Sequence, residues 1–446
     1  MAVVEDRDRP KERTFNPSRI AVTDESQRLV AEVLEAIQSA EERQKARRPQ
    51  DRAIHERAVS ALVCGLAYQY IHEPEGWLVV EMSKSALAPN KRRAPFMTGR
   101  FPTLVKFLAS PLVALMDIQL GDQQSIGGRR TTIRANSQLG TRIEELGLSY
   151  SDFSRDPLLR GVPLELRSAK RKQYVGGKTV FKADKLPLPN SPKVARLRVE
   201  MNEINGWIGA ANISWYGDAF ADQVDTSRRF LKRIFNNGSM EAGGRLNGGF
   251  WQDLPSSDRR DGLSIDDQNV VSLDFAQSAL RMAYAEAGVE SPLGDLYVVS
   301  GLESYRNEVK RVVNALLCDD APRGRFPRGA RGTLPKHWKF ERVYRLIERH
   351  HAPIAHLFGS SRGLRYMYQE SQILIRTLLE LKSMGIVALP VHDCVLVTSS
   401  HGLTAKAVME KAFKEVTGAP GIVEMEGSST TICSGISLSD HLGATY

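Results

Sequence analysis

The segment 386–398, IVALPVHDCVLVT, sets His392 and Asp393 at the bend between two short apolar runs. The aliphatic residues on either side, 389–391 and 395–397, predict two buried strands. An ionised carboxylate in such a hairpin is costly unless it is paired or binds a cation, so Asp393 is either a tight-turn residue or a metal ligand. A second carboxylate has a related setting. In 270–276, VVSLDFA, alternation puts Val271, Leu273 and Phe275 on one strand face and Ser272, Asp274 and Ala276 on the other. Further along, Arg306, Lys310 and Asn314 recur at i, i+4 and i+8 beside an apolar helix face of Tyr305, Val309, Val312, Val313 and Leu316. Such a stripe is either a solvated cationic surface or a face that holds an anion. His392 and Cys394 lie two residues apart and raise a thiol-hydrolase alternative, but no glycine-rich oxyanion loop or orienting residue accompanies them.

These residues need elements to position them. The helix QSALRMAYAEAG follows Asp274 at once, with Gly288 as its stop. Ser300 and Glu303 read as a capping box for the cationic helix. Upstream, helical spacing predicts helices over 23–47 and 55–70, separated by the basic linker KARRPQDR, and a strand over 77–82. A strand over 130–135 precedes a helix capped by Asn136 or Ser137. Helices with a basic hairpin would make a winged-helix-like nucleic-acid module; the alternative is a helical scaffold with a solvated face. Gly177-Lys178-Thr179 imitates the end of a phosphate loop, but the earlier glycine falls on Lys172 and no apolar strand feeds it. RSAKRKQYVGGK reads instead as a basic hairpin, 187–192 as a linker, and 192–211 as an amphipathic helix.

The octapeptide DFAQSALR at 274–281 resembles the first carboxylate motif of family A DNA polymerases, Asp-Tyr-Ser-Gln-x-Glu-Leu-Arg, with identity at Asp274, Gln277, Leu280 and Arg281 and an aromatic at Phe275. Ahead of it, Gly244-Arg245-Leu246 and Gln252-Asp253-Leu254-Pro255 are similar to that family's Thr-Gly-Arg-Leu to Leu-Gln-Asn-Ile-Pro segment, whose arginine touches the duplex near the primer end. Arg306-x-x-x-Lys310 resembles the fingers helix that holds an incoming triphosphate. Val391-His392-Asp393-Cys394 resembles the Val-His-Asp-Glu of these enzymes, and more closely the His-Asp-Ser of single-subunit phage and mitochondrial RNA polymerases. The helix ahead of it, with Gln369, Gln372 and Arg376 on one stripe and Ile373, Leu374, Leu378 and Leu381 on the core side, also resembles its counterpart in the RNA polymerases. The motifs fall in the family's order over roughly residues 235–400.

The resemblance implies an α+β right-hand polymerase with an antiparallel-sheet palm, reduced helical fingers and a mostly helical N-terminal region. It implies catalysis by Asp274 and Asp393 as ligands of two Mg²⁺ ions, or Mn²⁺ in their place, about 3.5–4 Å apart, with His392 beside the primer terminus. Arg306, Lys310 and Asn314 would hold the nucleotide. Arg245, Gln252, Arg281, Gln369, Arg376 and the loop residues Arg323 and Arg325 would touch nucleic acid. Where the DNA enzymes carry a glutamate that crowds the sugar 2′ position this chain has Ala279, and Cys394 replaces the Glu after the catalytic Asp. Both departures favour ribonucleotides. The tyrosine-glycine that ends the fingers helix is missing.

Composition agrees with such a protein. The chain has 446 residues, with 61 Lys and Arg against 52 Asp and Glu, a balance that suits a polyanionic partner. Four cysteines, at 64, 318, 394 and 433, form no CxxC or zinc spacing and fit a reducing cytoplasm. No apolar run reaches transmembrane length, and no membrane partner is expected. The expected layout is a charged segment and helix over 1–50, a helical or winged-helix-like nucleic-acid-binding region over 51–192, and palm and fingers over 193–446, without a proofreading exonuclease. The expected activity is template-directed nucleotidyl transfer making RNA or RNA primers on a DNA template, in the manner of a primase or RNA polymerase. The partners are the DNA template, nucleotide triphosphates, nascent RNA or DNA, and a helicase or initiator. The alternatives are a DNA polymerase of a mobile element and a non-catalytic nucleic-acid-binding replication protein.

Overall fold

The computed structural model describes residues 12–41, 45–90, 93–121, 130–159, 161–175, 178–216 and 224–426. The chain forms two compact units, one of Met1–Val162 with Asp218–Phe230 and one of Pro163–Gly217 with Leu231–Tyr446. The first boundary between the units falls at 162, and a later segment rejoins the first unit.

In the first unit the regular structure is mostly helical, with two small sheets beside the helices. Its central helix Pro49–His72 starts with proline in the first turn, where a missing N–H costs nothing, so the expected basic linker is in part helix. From Ala58 to Gln69 the helix is buried on nearly every side, which marks it as the centre of a core and not a surface helix. Helix Asp24–Ala40 packs on it through Leu29, Val33 and Ile37, capped by Thr23, whose hydroxyl accepts from the Ser26 N–H. Strands Arg13–Thr14, Leu78–Val79, Thr132–Ala135 and Met116–Gln119 form one sheet in that order, parallel at the first pair and antiparallel thereafter. Asn136 caps helix Ser137–Glu145 as its sequence predicts, accepting from the Leu139 N–H at 3.0 Å.

The second unit is built on an antiparallel sheet around the strand Gln268–Phe275. Cys394–Thr398 pairs along one edge, from Val270 opposite Thr398 to Leu273 opposite Val395. Leu263–Ile265 and then Val423–Glu426 pair along the other. The entry into the long strand is a two-residue turn in which Asp266 and Asp267 both adopt positive φ, a conformation that short acidic side chains tolerate. Helices Gly363–Ser383 and Gly402–Thr417 pack against each other beside this sheet. The first buries Ile373, Leu374, Leu378 and Leu381, the side its spacing predicts. A second sheet runs Lys185–Leu186, Leu164–Arg167, Lys232–Phe235 and Gly243–Asn247. The expected basic hairpin forms from Arg171–Val175 and Lys178–Lys182, with Tyr174 and Phe181 exposed.

Candidate active site

Asp274 ends the polar face of the long strand, solvent-accessible between buried Leu273 and Phe275. Asp393 sits in the two-residue turn that joins Leu389–Val391 to Cys394–Thr398. Since Leu273 pairs with Val395, antiparallel register carries both carboxylates to the same end of the sheet, and both line one cavity of about 310 Å³. Backbone strain brackets the pair. His392 before Asp393 and Gln277 after Asp274 are non-glycine residues with φ of 59° and 52°, a conformation that costs of order 1–3 kcal/mol and persists where surrounding structure imposes it.

The surroundings impose it through named bonds. Trp251, fully buried, donates its indole N–H to the Pro390 carbonyl at 2.9 Å, and the Gln252 amide donates to the same oxygen at 3.0 Å. The Gln252 Oε1 accepts from the Gly248 and Gly249 N–H groups. Gln252 is thus a brace for the hairpin, and its hydrogen-bonding capacity is spent inside the fold. Arg281 is a second correction of the same kind: it is buried and donates to the Ala276 and Gly294 carbonyls, Ser291 Oγ and Gln277 Oε1, locking the turn after Asp274.

The cationic helix begins as a 3-10 turn, Glu303–Tyr305, and continues as the α-helix Arg306–Cys318. Glu303 accepts from the Gly301 N–H at 2.9 Å, so the start is held by the glutamate alone and not by the reciprocal box with Ser300. Val309, Val312, Val313 and Leu316 face the core, and Arg306, Lys310 and Asn314 line the carboxylate cavity. All three meet Tyr297, which spacing did not single out. Its ring lies 5.6 Å from the Arg306 guanidinium carbon and 5.9 Å from Lys310 Nζ, and its hydroxyl donates to Asn314 Oδ1 at 3.3 Å. Burial pushes the Tyr297 phenol up to about 12, so it stays a neutral donor. Asp295 pairs with Arg306.

Glu370 is the other residue that sequence missed. It lies one position from the Gln369 stripe, on the side of helix Gly363–Ser383 that faces the cavity. Arg245 reaches its carboxylate at 3.1 Å, and Ser278 Oγ donates to it at 3.0 Å. Burial, and then the Asp393 charge, push the Glu370 carboxyl above the usual range. Glycine at 244 is required here: φ is +86° and a Cβ would stand 2.6 Å from Ser371 Oγ. Gln369 and Arg376 do not line the cavity. Arg323 is chelated by Asp319 through two bonds of 2.6 Å, whereas Arg325 is exposed. The loop that carries them is anchored, because Glu308 accepts from Thr333 N and Oγ1 and Ala330 and Leu334 are buried.

The Asp274 carboxyl is perturbed as well. Enclosure by the cavity walls, then the charge of Asp393, push it up to about 6, with Lys310 pulling the other way. Two carboxylates that repel each other across a hard-oxygen site fit a divalent cation in donor chemistry. Among the described residues no group of three or more His, Cys, Asp or Glu is preassembled. Ala279 lines the same cavity. His392 is exposed at the turn. Cys394 is not poised as a nucleophile: burial pushes its thiol up to about 12, and Ser272 Oγ lies 2.9 Å from its Sγ, so the thiol-hydrolase alternative fails. No helix among the described residues is long and apolar enough to cross a membrane.

No family model and no curated protein matches the chain. Among solved structures it is similar to the POL domain of Pol1 from M. smegmatis in complex with DNA primer-template and dNTP, at 11% identity and a TM-score of 0.29, over 92% of this chain and 67% of that one. Neither figure assigns the chain to a family.

Proposed function

We propose that this protein is a template-directed nucleotidyltransferase whose active site is the cavity shared by Asp274, Asp393, Arg306 and Lys310. The observation that carries the reading is their convergence: two carboxylates distant in sequence and two cations from a separate helix line one small cavity. The reaction joins a strand's 3′-hydroxyl oxygen to the α-phosphorus of a nucleotide and releases pyrophosphate. Asp274 and Asp393 would hold two Mg²⁺ ions, which supply charge to the attacking and leaving oxygens. Arg306 and Lys310 bind the triphosphate and offset the charge that builds on its departing end. Tyr297 keeps that helix face in place, and Ala279 leaves room at the sugar, which favours ribonucleotides. A DNA template and an RNA or primer product are the preferred pairing, with Arg245, Arg325, Gln369 and Arg376 as candidates for contact with nucleic acid.

The test is extension of labelled primed and unprimed DNA templates with NTPs or dNTPs and Mg²⁺. Incorporation is expected with the wild-type chain and is expected to fall at least about 10³-fold in Asp274→Asn and Asp393→Asn, a loss of roughly 4 kcal/mol of transition-state stabilisation. Full activity in either variant overturns the assignment. Binding of template without incorporation by the wild-type chain would favour the non-catalytic alternative.

A further inference from the structure

Residues 168–183 carry five lysines and arginines, at 170, 171, 172, 178 and 182, and no aspartate or glutamate. Within them Arg171–Val175 and Lys178–Lys182 form a two-stranded ribbon that grows from the second sheet. Its base is fixed. Leu164–Arg167 pairs with Lys185–Leu186 just outside the ribbon, and the Ser168 N–H donates to the Asp184 carbonyl at 2.9 Å. Glu165, on the strand that leads in, is held by Arg167 at 2.6 Å and Lys185 at 2.8 Å. Antiparallel register puts directly opposed residues on one face. Lys172 opposite Phe181 and Tyr174 opposite Thr179 therefore share a face, and Arg171 opposite Lys182 shares the other with Gln173 opposite Val180. These side chains are all exposed, Tyr174 by 77% and Phe181 by 66%.

Each of these features is unfavourable in the free chain. A two-stranded ribbon by itself is marginal in water. Like charges directly opposed, as Arg171 and Lys182 are, destabilise a strand pair. Tyr174 and Phe181, diagonal neighbours on one face, leave two large rings in solvent. An unpaired nucleic-acid strand relieves all of this, because its phosphates neutralise the cations and every base has a flat face that stacks on an aromatic ring. In an intact duplex those faces are already stacked on one another, and an acidic peptide matches the charge without matching the rings. We propose that this ribbon binds single-stranded DNA. Bases stack on Tyr174 and Phe181, Lys172 beside them meets the phosphates, and Arg171 and Lys182 add the field that draws the strand in. The choice of DNA over RNA rests on the template proposed above; the binding itself does not depend on nucleotidyl transfer.

The experiment uses the full chain in EDTA without nucleotide, so that binding is read apart from incorporation. Fluorescence anisotropy follows a labelled oligothymidylate of about 16 nucleotides, the length of a large single-strand site, beside its duplex with oligoadenylate and an oligouridylate of equal length. Saturable binding is expected, tightest for the oligothymidylate. Tyr174→Ala and Phe181→Ala should each weaken it at least about fivefold, whereas Tyr174→Phe, which keeps the ring, should stay within about twofold. Arg100→Ala, at an exposed arginine of the first unit, should also stay within about twofold. Lys172→Ala should flatten the slope of log affinity against log salt by about 0.7. Arg171→Glu separates folding from binding: it sets opposite charges across the ribbon and favours the hairpin, while it should weaken binding at least about tenfold. Wild-type affinity in the two ring-deletion variants or in Arg171→Glu, tighter binding of the duplex or of oligouridylate, displacement by an equal charge of polyglutamate, or no saturable binding by the wild-type chain overturns the proposal. Ribbon-dependent binding by a chain that incorporates no nucleotide removes the proposed reaction and leaves this inference standing. Incorporation by a chain whose ribbon variants bind as wild type does the reverse.

Discussion

Arg245 and Glu370 form a 3.1 Å ion pair inside the candidate active site, linking the strand Gly243–Asn247 to the helix Gly363–Ser383. Glu370 is the more enclosed partner, with a side chain 10% exposed. Removing the guanidinium leaves a buried carboxylate beside Asp393, and the folded chain then favours the protonated acid still more. Arg245→Ala is therefore expected to destabilise the fold by about 1–3 kcal/mol at pH 8, with the penalty shrinking toward pH 5 as Glu370 takes up a proton. Urea unfolding at the two pH values measures this; equal losses at both would mean that the pair contributes packing and not charge.

The elevated Asp274 carboxyl gives a second expectation. Its folded pKa of about 6 lies above the ordinary 3.8, so its charge disfavours the folded state in full above pH 6, and the penalty shrinks as pH falls below that value and vanishes only below the ordinary 3.8. Asp274→Asn should raise stability slightly at pH 8, by no more than about 1 kcal/mol once solvent screening of this accessible group is counted, and leave it unchanged below pH 4. Mn²⁺ binding followed by electron paramagnetic resonance should rise with pH through the same region. In Asp393→Asn the midpoint should move down, since a repelling charge is gone. A midpoint that stays put would separate the two carboxylates.

Ala279 lines the cavity that also holds Arg306 and Lys310. Ala279→Glu should shift the ratio of ribo- to deoxyribonucleotide incorporation toward the deoxy form by tenfold or more, about 1.4 kcal/mol of discrimination. Competition between labelled NTP and dNTP reads the ratio directly. No change would place the sugar gate at another residue.

Gln252 ties the Gly248 and Gly249 N–H groups to the Pro390 carbonyl. Gln252→Leu leaves these buried groups short of partners and should cost about 1–3 kcal/mol of stability, while template affinity stays within twofold. Thermal melts and a binding titration distinguish the outcomes. A large loss of affinity at unchanged stability would return Gln252 to contact with nucleic acid.

The sequence by itself determined the local chemistry. Alternation in 270–276 put Asp274 on the polar face of a strand, the apolar runs around Asp393 fixed a hairpin, and 3.6-residue spacing gave Arg306, Lys310 and Asn314 a common face. Each depends on backbone period, which neighbours in sequence encode directly. Tertiary structure decided which groups share a cavity and which are consumed holding it. Tyr297 and Glu370 enter the site because distant elements pack there, while Gln252 and Arg281 are turned inward to carbonyls that only folding brings within reach. The first unit shows the same limit: the return of Asp218–Phe230 supplies Asp225 to Arg19 and Arg155, a pairing across some two hundred residues of chain in the first case. A side chain's donor count is written in its residue type. Whether those donors face a ligand or a carbonyl depends on burial and on partners remote in sequence, and that was settled only by the packing of the whole chain.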